Sequence, residues 1–169
     1  MAEALFNDHA ARWFRAYSAG SRPVGRVHPF ALEQIAGQGI PNADFRSKTW
    51  LEFTPGNSPA LDFVITVCDA AARESCPFLT GSPLRVHWSL PDPAAAAGGE
   101  GEIQQAFADC FATLAARVQR LAQIDLDAMS PRQIADAMQA LSGDMAGLGT
   151  ALVDRCAQDQ LEDDRWTSP

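Results

Sequence analysis

The stretch Asp62-Phe63-Val64-Ile65-Thr66-Val67-Cys68-Asp69 decides how the chain folds. Between its two aspartates runs an unbroken series of apolar and β-branched residues. Such a run is short, continuous and rich in Val and Ile, the pattern of a strand buried on both faces of a parallel sheet. Leu84-Arg85-Val86-His87-Trp88 reads as a second strand. Pro77, Gly81 and Pro83 mark the loop before it, and Pro91-Asp92-Pro93 ends it. A shorter strand candidate lies at Phe14 to Ser18, where Ala19-Gly20-Ser21-Arg22-Pro23 breaks the chain.

Helical periods fill the intervals. Leu5, Phe6, His9, Ala10 and Trp13 share one face of a helix over residues 1–13. Pro29 stands at the first turn of a helix through Ala36, closed by Gly37 and Gly39. Ser47 is placed to cap a short helix over residues 48–53, and Thr54 to Pro59 is a loop. From about Gly101 a long helix aligns Ile103, Phe107, Cys110, Phe111, Leu114, Val118 and Leu121 in one apolar stripe. Ser130-Pro131 opens another helix, bearing Ile134, Met138 and Leu141, with Gly143 just past its end. A last helix is expected over Met145 to Cys156, and residues 158–169 read as a polar, frayed tail. Helices alternating with short buried strands predict an α/β domain, with a parallel sheet and helices on both faces. Ligands of such sheets sit at the carboxyl ends of the strands. The loops after Ser18, Cys68 and Trp88 therefore carry the functional interest.

Charge narrows the function. Lys and Arg number 13 against 21 Asp and Glu, a formal net charge of −8. So acidic a chain is a poor binder of nucleic acid, which demands Lys and Arg on phosphate, and of anionic lipid. The longest apolar runs, Phe63 to Cys68 and Ala94 to Ala97, are far too short to cross a bilayer. The first residues show neither a basic segment nor a long apolar one, so the expected setting is the cytoplasm. Cys68, Cys76, Cys110 and Cys156 do not make a disulfide scaffold. In a reducing compartment they read as buried thiols or as redox-active ones.

Several residues are candidates for chemistry. Cys68 closes the strongest strand and Cys76 follows in the next loop. The pair reads either as two small apolar side chains or as thiols able to close into a disulfide. No second Cys pair or adjacent His completes four zinc ligands. Asp92, between two prolines at a strand end, is either a turn aspartate or a general acid on a rigid loop. His28 before Pro29 reads as the residue that opens a helix, and His87 as a packed or surface strand residue. Arg46-Ser47-Lys48 is a small basic cluster, more simply a solvated loop than an oxyanion site.

Taken in order, these pieces resemble the low-molecular-weight protein tyrosine phosphatase superfamily, and within it the arsenate reductase branch. The resembling stretches are Ala2-Glu3-Ala4-Leu5-Phe6, Tyr17-Ser18-Ala19-Gly20-Ser21, Gly25-Arg26-Val27-His28-Pro29, Arg46-Ser47-Lys48, Asp62 to Asp69, Cys76-Pro77, and His87 to Ala94. The match runs from residue 2 to about residue 122 and continues more weakly through 124–141. It implies a domain over residues 1–123 and a helical C-terminal extension over 124–169. It also implies a flavodoxin-like, three-layer fold whose first strand is central in the sheet. A phosphate-cradling C-x5-R loop follows that strand, where a cysteine thiolate attacks the oxyanion. Asp92 matches the family's general acid. Cys68 and Cys76 resemble the pair that carries oxidation away from the nucleophile in thioredoxin-coupled arsenate reductases. The implied ligand is arsenate or a phosphate-like oxyanion, the implied electron donor thioredoxin, glutaredoxin or a small thiol, and no cofactor is implied. A single tyrosine, Tyr17, tilts the resemblance toward the reductases.

The departure is as informative. The sixth residue after each cysteine is Glu74, Ser82, Ala116 or Glu162, so these 169 residues contain no C-x5-R. On the family's plan the first strand is absent from the middle of the sheet, with three expected outcomes. The flanking strands close up, another chain complements the edge in an oligomer, or a segment precedes Met1. The functional alternatives are an arsenate reductase-like enzyme inactive as written, a protein tyrosine phosphatase, and a non-catalytic redox or binding protein.

Overall fold

The computed structural model describes residues 1–41, 45–68, 72 and 78–143. Among the described residues four helices accompany a short sheet: α1 (Ala2–His9), α2 (Pro29–Gly37), α3 (Glu100–Ala122) and α4 (Pro131–Ala140). Strands β1 (Phe63–Thr66) and β2 (Leu84–His87) pair in parallel, Phe63 beside Leu84 and Thr66 beside His87. Parallel pairing requires a crossover, which residues 67–83 supply. Its return is tight at Gly81 (φ +95°), where a Cβ would fall 2.6 Å from the Leu61 carbonyl oxygen. The result is the α/β class expected, with a short parallel sheet.

The core forms where the helices meet β2. Leu5 and Phe6 of α1, Phe111, Leu114, Val118 and Leu121 of α3, and Met138 of α4 enclose Val86 and Trp88. Leu141, just past α4, closes the same cluster. The α3 stripe is the one its spacing predicted. Ser130 caps α4: its hydroxyl accepts from the Gln133 N–H, and the Gln133 side chain accepts from the Ser130 N–H. Removing that reciprocal cap with Ser130→Ala should cost about 1 kcal/mol in urea unfolding. His28 opens α2, its Nδ1 accepting from the Phe30 N–H at 3.3 Å.

Several expectations change. The first helix stops at His9 and passes into turns through Phe14, because the Trp13 and Phe14 N–H groups both return to the Ala10 carbonyl. The strand expected over 14–18 does not form, and only an isolated bridge joins Gly20 to Thr49. The reason is visible in its hydrogen bonds. Asn7 of α1 takes both backbone groups of Ala16, donating to its carbonyl at 2.9 Å and accepting from its N–H at 2.8 Å. Glu3 takes the Ser18 N–H. Side chains of α1 thus stand where a neighbouring strand would. The short helix expected over 48–53 is a 3-10 turn over Trp50–Phe53, capped by the Thr49 hydroxyl rather than Ser47. Strand β1 is half-buried throughout rather than buried on both faces, and among the described residues β2 is the strand paired with it. The helix expected over Met145 to Cys156 and the tail beyond lie outside the described residues.

The sheet's outer edge at β2 is closed by an unusual partner. In a parallel ladder, alternate residues of a strand turn their backbone groups to opposite neighbours. The N–H groups of Leu84 and Trp88 donate to Asp62 and Thr66 across the sheet, so those of Arg85 and His87 face away. There the Gln139 side-chain amide of α4 accepts from the His87 N–H at 2.9 Å and donates to the His87 carbonyl at 3.1 Å. One glutamine does the work of a strand.

Candidate functional site

Cys68 and Asp92 leave the same carboxyl end of the parallel pair. The chain from β2 passes through Trp88, fully buried and stacked on Phe6 with ring centroids 5.7 Å apart. Its indole N–H donates to the Met138 carbonyl at 2.8 Å. Two residues on, the Leu90 N–H donates to the Val67 carbonyl at 3.0 Å, tying the exit of β2 to the exit of β1. Cys68 follows Val67 directly, and Asp92 stands two residues beyond Leu90. The same end therefore presents a half-buried thiol and an exposed carboxylate.

Asp92 is held by its own loop. Its Oδ1 accepts from the Ala94 N–H at 3.0 Å, capping the 3-10 turn Pro93–Ala95. Among the described residues the other oxygen accepts no hydrogen bond. The structural role of a turn aspartate and the chemical role of an acid thus coexist in one side chain. The Cys68 carbonyl accepts from the Ala72 N–H at 3.1 Å. Cys76 and Pro77 lie outside the described residues.

A second thiol belongs to this neighbourhood. Cys110 of α3 is half-buried and feels the Asp92 carboxylate. Burial, more than that charge, pushes its pKa up. A thiol held protonated is a weak nucleophile. Cys110 should therefore react with iodoacetamide at neutral pH more slowly than a free cysteine peptide, a difference that intact-mass kinetics would read. A rate equal to the peptide's would contradict the burial.

The basic cluster separates into unlike parts. Arg46 makes a paired contact with Glu52 at the surface, which raises the arginine's pKa and lowers the glutamate's. Lys48 is buried instead, its Nζ 3.2 and 3.0 Å from the two Glu3 carboxylate oxygens. The same carboxylate accepts from the Ser18 N–H and hydroxyl. Lys48 is thus no solvated loop residue, because Glu3 supplies its partner inside the fold. Tyr17, Arg46, Thr49, Glu52, Phe53 and Ser58 border an open cleft of about 590 Å³ beside it.

Arg117 of α3 escaped the reading of the sequence. It is buried beneath Trp88, its guanidinium 5.8 Å from the ring centroid, and Nη2 donates to the Ser142 carbonyl at 2.9 Å. Among the described residues Nε and Nη1 have no hydrogen-bond partner. The spacing held the signal: Arg117 falls three residues after Leu114 and four before Leu121, on the apolar stripe. His87 rests its Nδ1 2.8 Å from the Thr66 hydroxyl, a packed strand residue. Among the described residues no cluster of His, Cys, Asp or Glu is arranged to hold a metal ion. No helix among them is long and apolar enough to cross a membrane.

A family model for the low molecular weight phosphotyrosine protein phosphatases matches residues 1–131. The chain belongs to that family. Its flavodoxin-like plan accounts for a parallel sheet with Cys68 and Asp92 at one end. Within the phosphatase family, the chain is 32% identical over 102 residues to an arsenate reductase of Halalkalibacterium halodurans. That similarity covers 60% of this chain and 70% of the relative. Helix α4 begins where the family match ends, yet it packs against β2 and completes the core.

Proposed function

We propose that the chain is the scaffold of an arsenate reductase-like enzyme, acting in a reducing compartment such as the cytoplasm. Asp92 protonates the departing oxygen. Cys68 and Cys76 collect the oxidising equivalents as a disulfide, which thioredoxin, glutaredoxin or a small thiol reopens. The stoichiometry is closed: arsenate gains two electrons from two thiols, one S–S bond forms, and one oxygen leaves as water with the two thiol protons. The supporting observation is the shared exit of Cys68 and Asp92 in a chain similar to an arsenate reductase.

The thiolate that opens such a reaction lies in a C-x5-R loop, which these 169 residues do not contain. The chain by itself is expected to turn over neither arsenate nor a phosphoester. The test supplies a strand and C-x5-R loop ahead of Met1 and follows arsenite with thioredoxin, its reductase and NADPH. Arsenite should appear only in the extended chain, and Cys76→Ser should abolish its thioredoxin-dependent formation. Arsenite from the 169 residues alone, or turnover indifferent to Cys76→Ser, would overturn the reading. A second reading is phosphoester hydrolysis, favoured by the family match and by Asp92-Pro93. In that case the extended chain cleaves an aryl phosphate with Cys68 and Cys76 both replaced.

A further inference from the structure

Arg117 is only 6% exposed, and among the described residues no carboxylate hydrogen-bonds to it. Its Nε and Nη1 have no partner there. Keeping a guanidinium from water costs free energy that a single neutral hydrogen bond does not return. That one bond runs from Nη2 to the Ser142 carbonyl, two residues past α4. Leu141, between the helix end and Ser142, is in the same core. Docking of α4 and dehydration of Arg117 are therefore coupled.

The same turn of α4 holds the exit of β2. The Met138 carbonyl accepts from the Trp88 indole, and the Gln139 amide makes two bonds to the His87 backbone. Water is a ready substitute for several of these partners, since Gln139 is exposed and Ser142 half-buried. The buried side chains of α4 are mostly small: Ala135, Ala137 and Met138. A helix of ten residues is marginal without such packing, so α4 loses its structure when it lifts.

We infer that α4 is a releasable latch on the exit of β2. Docked, its last turn fixes His87 and Trp88, and with them the chain that runs through Leu90 to Asp92. Released, it returns Arg117 to water and loosens that exit. The uncompensated guanidinium favours release. The packing of Met138 and Leu141 and the Gln139 clasp favour docking. These opposed effects sit on one short element, which makes it the part of the fold that opens first.

The inference stands apart from the proposed chemistry. Its test is residue-resolved amide hydrogen exchange of the 169-residue chain under native conditions. The Ala137 and Met138 amides of α4 should exchange about tenfold or more faster than those of Leu114 and Val118 in α3. The Leu90 amide, which donates to the Val67 carbonyl, should follow α4 rather than α3. Arg117→Met puts an apolar chain of similar length in place of the charge, so it should slow exchange in α4 by about tenfold. Gln139→Ala removes the clasp at an exposed position and should speed it by about tenfold. Exchange of α4 at the rate of α3 would show that the helix opens only on global unfolding, and would overturn the inference. Faster exchange in α4 on Arg117→Met would overturn it, as would failure of that variant to fold, because the charge would then support docking. A Leu90 amide that keeps the α3 rate, or α4 exchange indifferent to Gln139→Ala, would overturn it equally.

Discussion

Trp88→Ala should lower the stability of the chain by about 3–5 kcal/mol, the range for emptying a buried aromatic site. Trp88 has no exposed surface and lies where α1, α3 and α4 meet. Its ring stacks on Phe6 of α1, Arg117 of α3 lies over it, and its N–H is bonded to Met138 of α4. Truncation therefore opens a cavity and also strands the Met138 carbonyl. Trp88→Phe separates the two effects. It keeps much of the ring and loses the donor, so it should cost about 1–3 kcal/mol, the penalty for an unpaired buried acceptor. Urea unfolding followed by circular dichroism measures both. Equal losses for the two variants would mean that the hydrogen bond, not the packing, anchors α4. The loop bearing Asp92 hangs from this residue, so the same substitution should also disorder that end of the sheet.

Lys48→Met should be comparably damaging, by about 3–5 kcal/mol, because it leaves the Glu3 carboxylate buried without its cation. The side chains of Lys48 and Glu3 are only 6% and 14% exposed. Solvent cannot take over from the lost partner. The double variant Glu3→Met, Lys48→Met removes both charges and should be less destabilised than the sum of the single losses, with chemical denaturation as the measure. Strict additivity would show that the two groups do not interact. The surface pair Arg46 and Glu52 is the internal contrast. Its geometry is bidentate, yet Arg46 is 61% exposed on its side chain, and Arg46→Met should change stability little.

Much of the fold was legible because it is written in local periods. The run Phe63 to Cys68, the α3 stripe, Pro29 and Ser130 each announce an element by spacing or by a cap. What failed was the part that depends on distant partners. Phe14 to Ser18 has the composition of a strand, but a strand exists through its ladder. Asn7 and Glu3 took that role from a helix, which no window around residue 16 reveals. Ser47 lost the cap to Thr49 because the Gly20–Thr49 bridge fixes where the chain turns. Lys48 looked solvated because its partner lies 45 residues away. The common placement of Asp92 and Cys68 was legible because both follow strands, and the carboxyl ends of parallel strands converge. Cys110 and Arg117 were not, since on an apolar stripe a thiol reads as core and an arginine as an interruption.

The most direct measurement is a disulfide map of the 169-residue chain after mild oxidation with peroxide, read by peptide mass spectrometry before and after thioredoxin. A bond between Cys68 and Cys76 that thioredoxin reopens, with Cys110 still a thiol, is the result predicted for a reductase scaffold. A bond joining Cys110 to another cysteine, or four intact thiols, would contradict it and leave the family membership without its reductase chemistry.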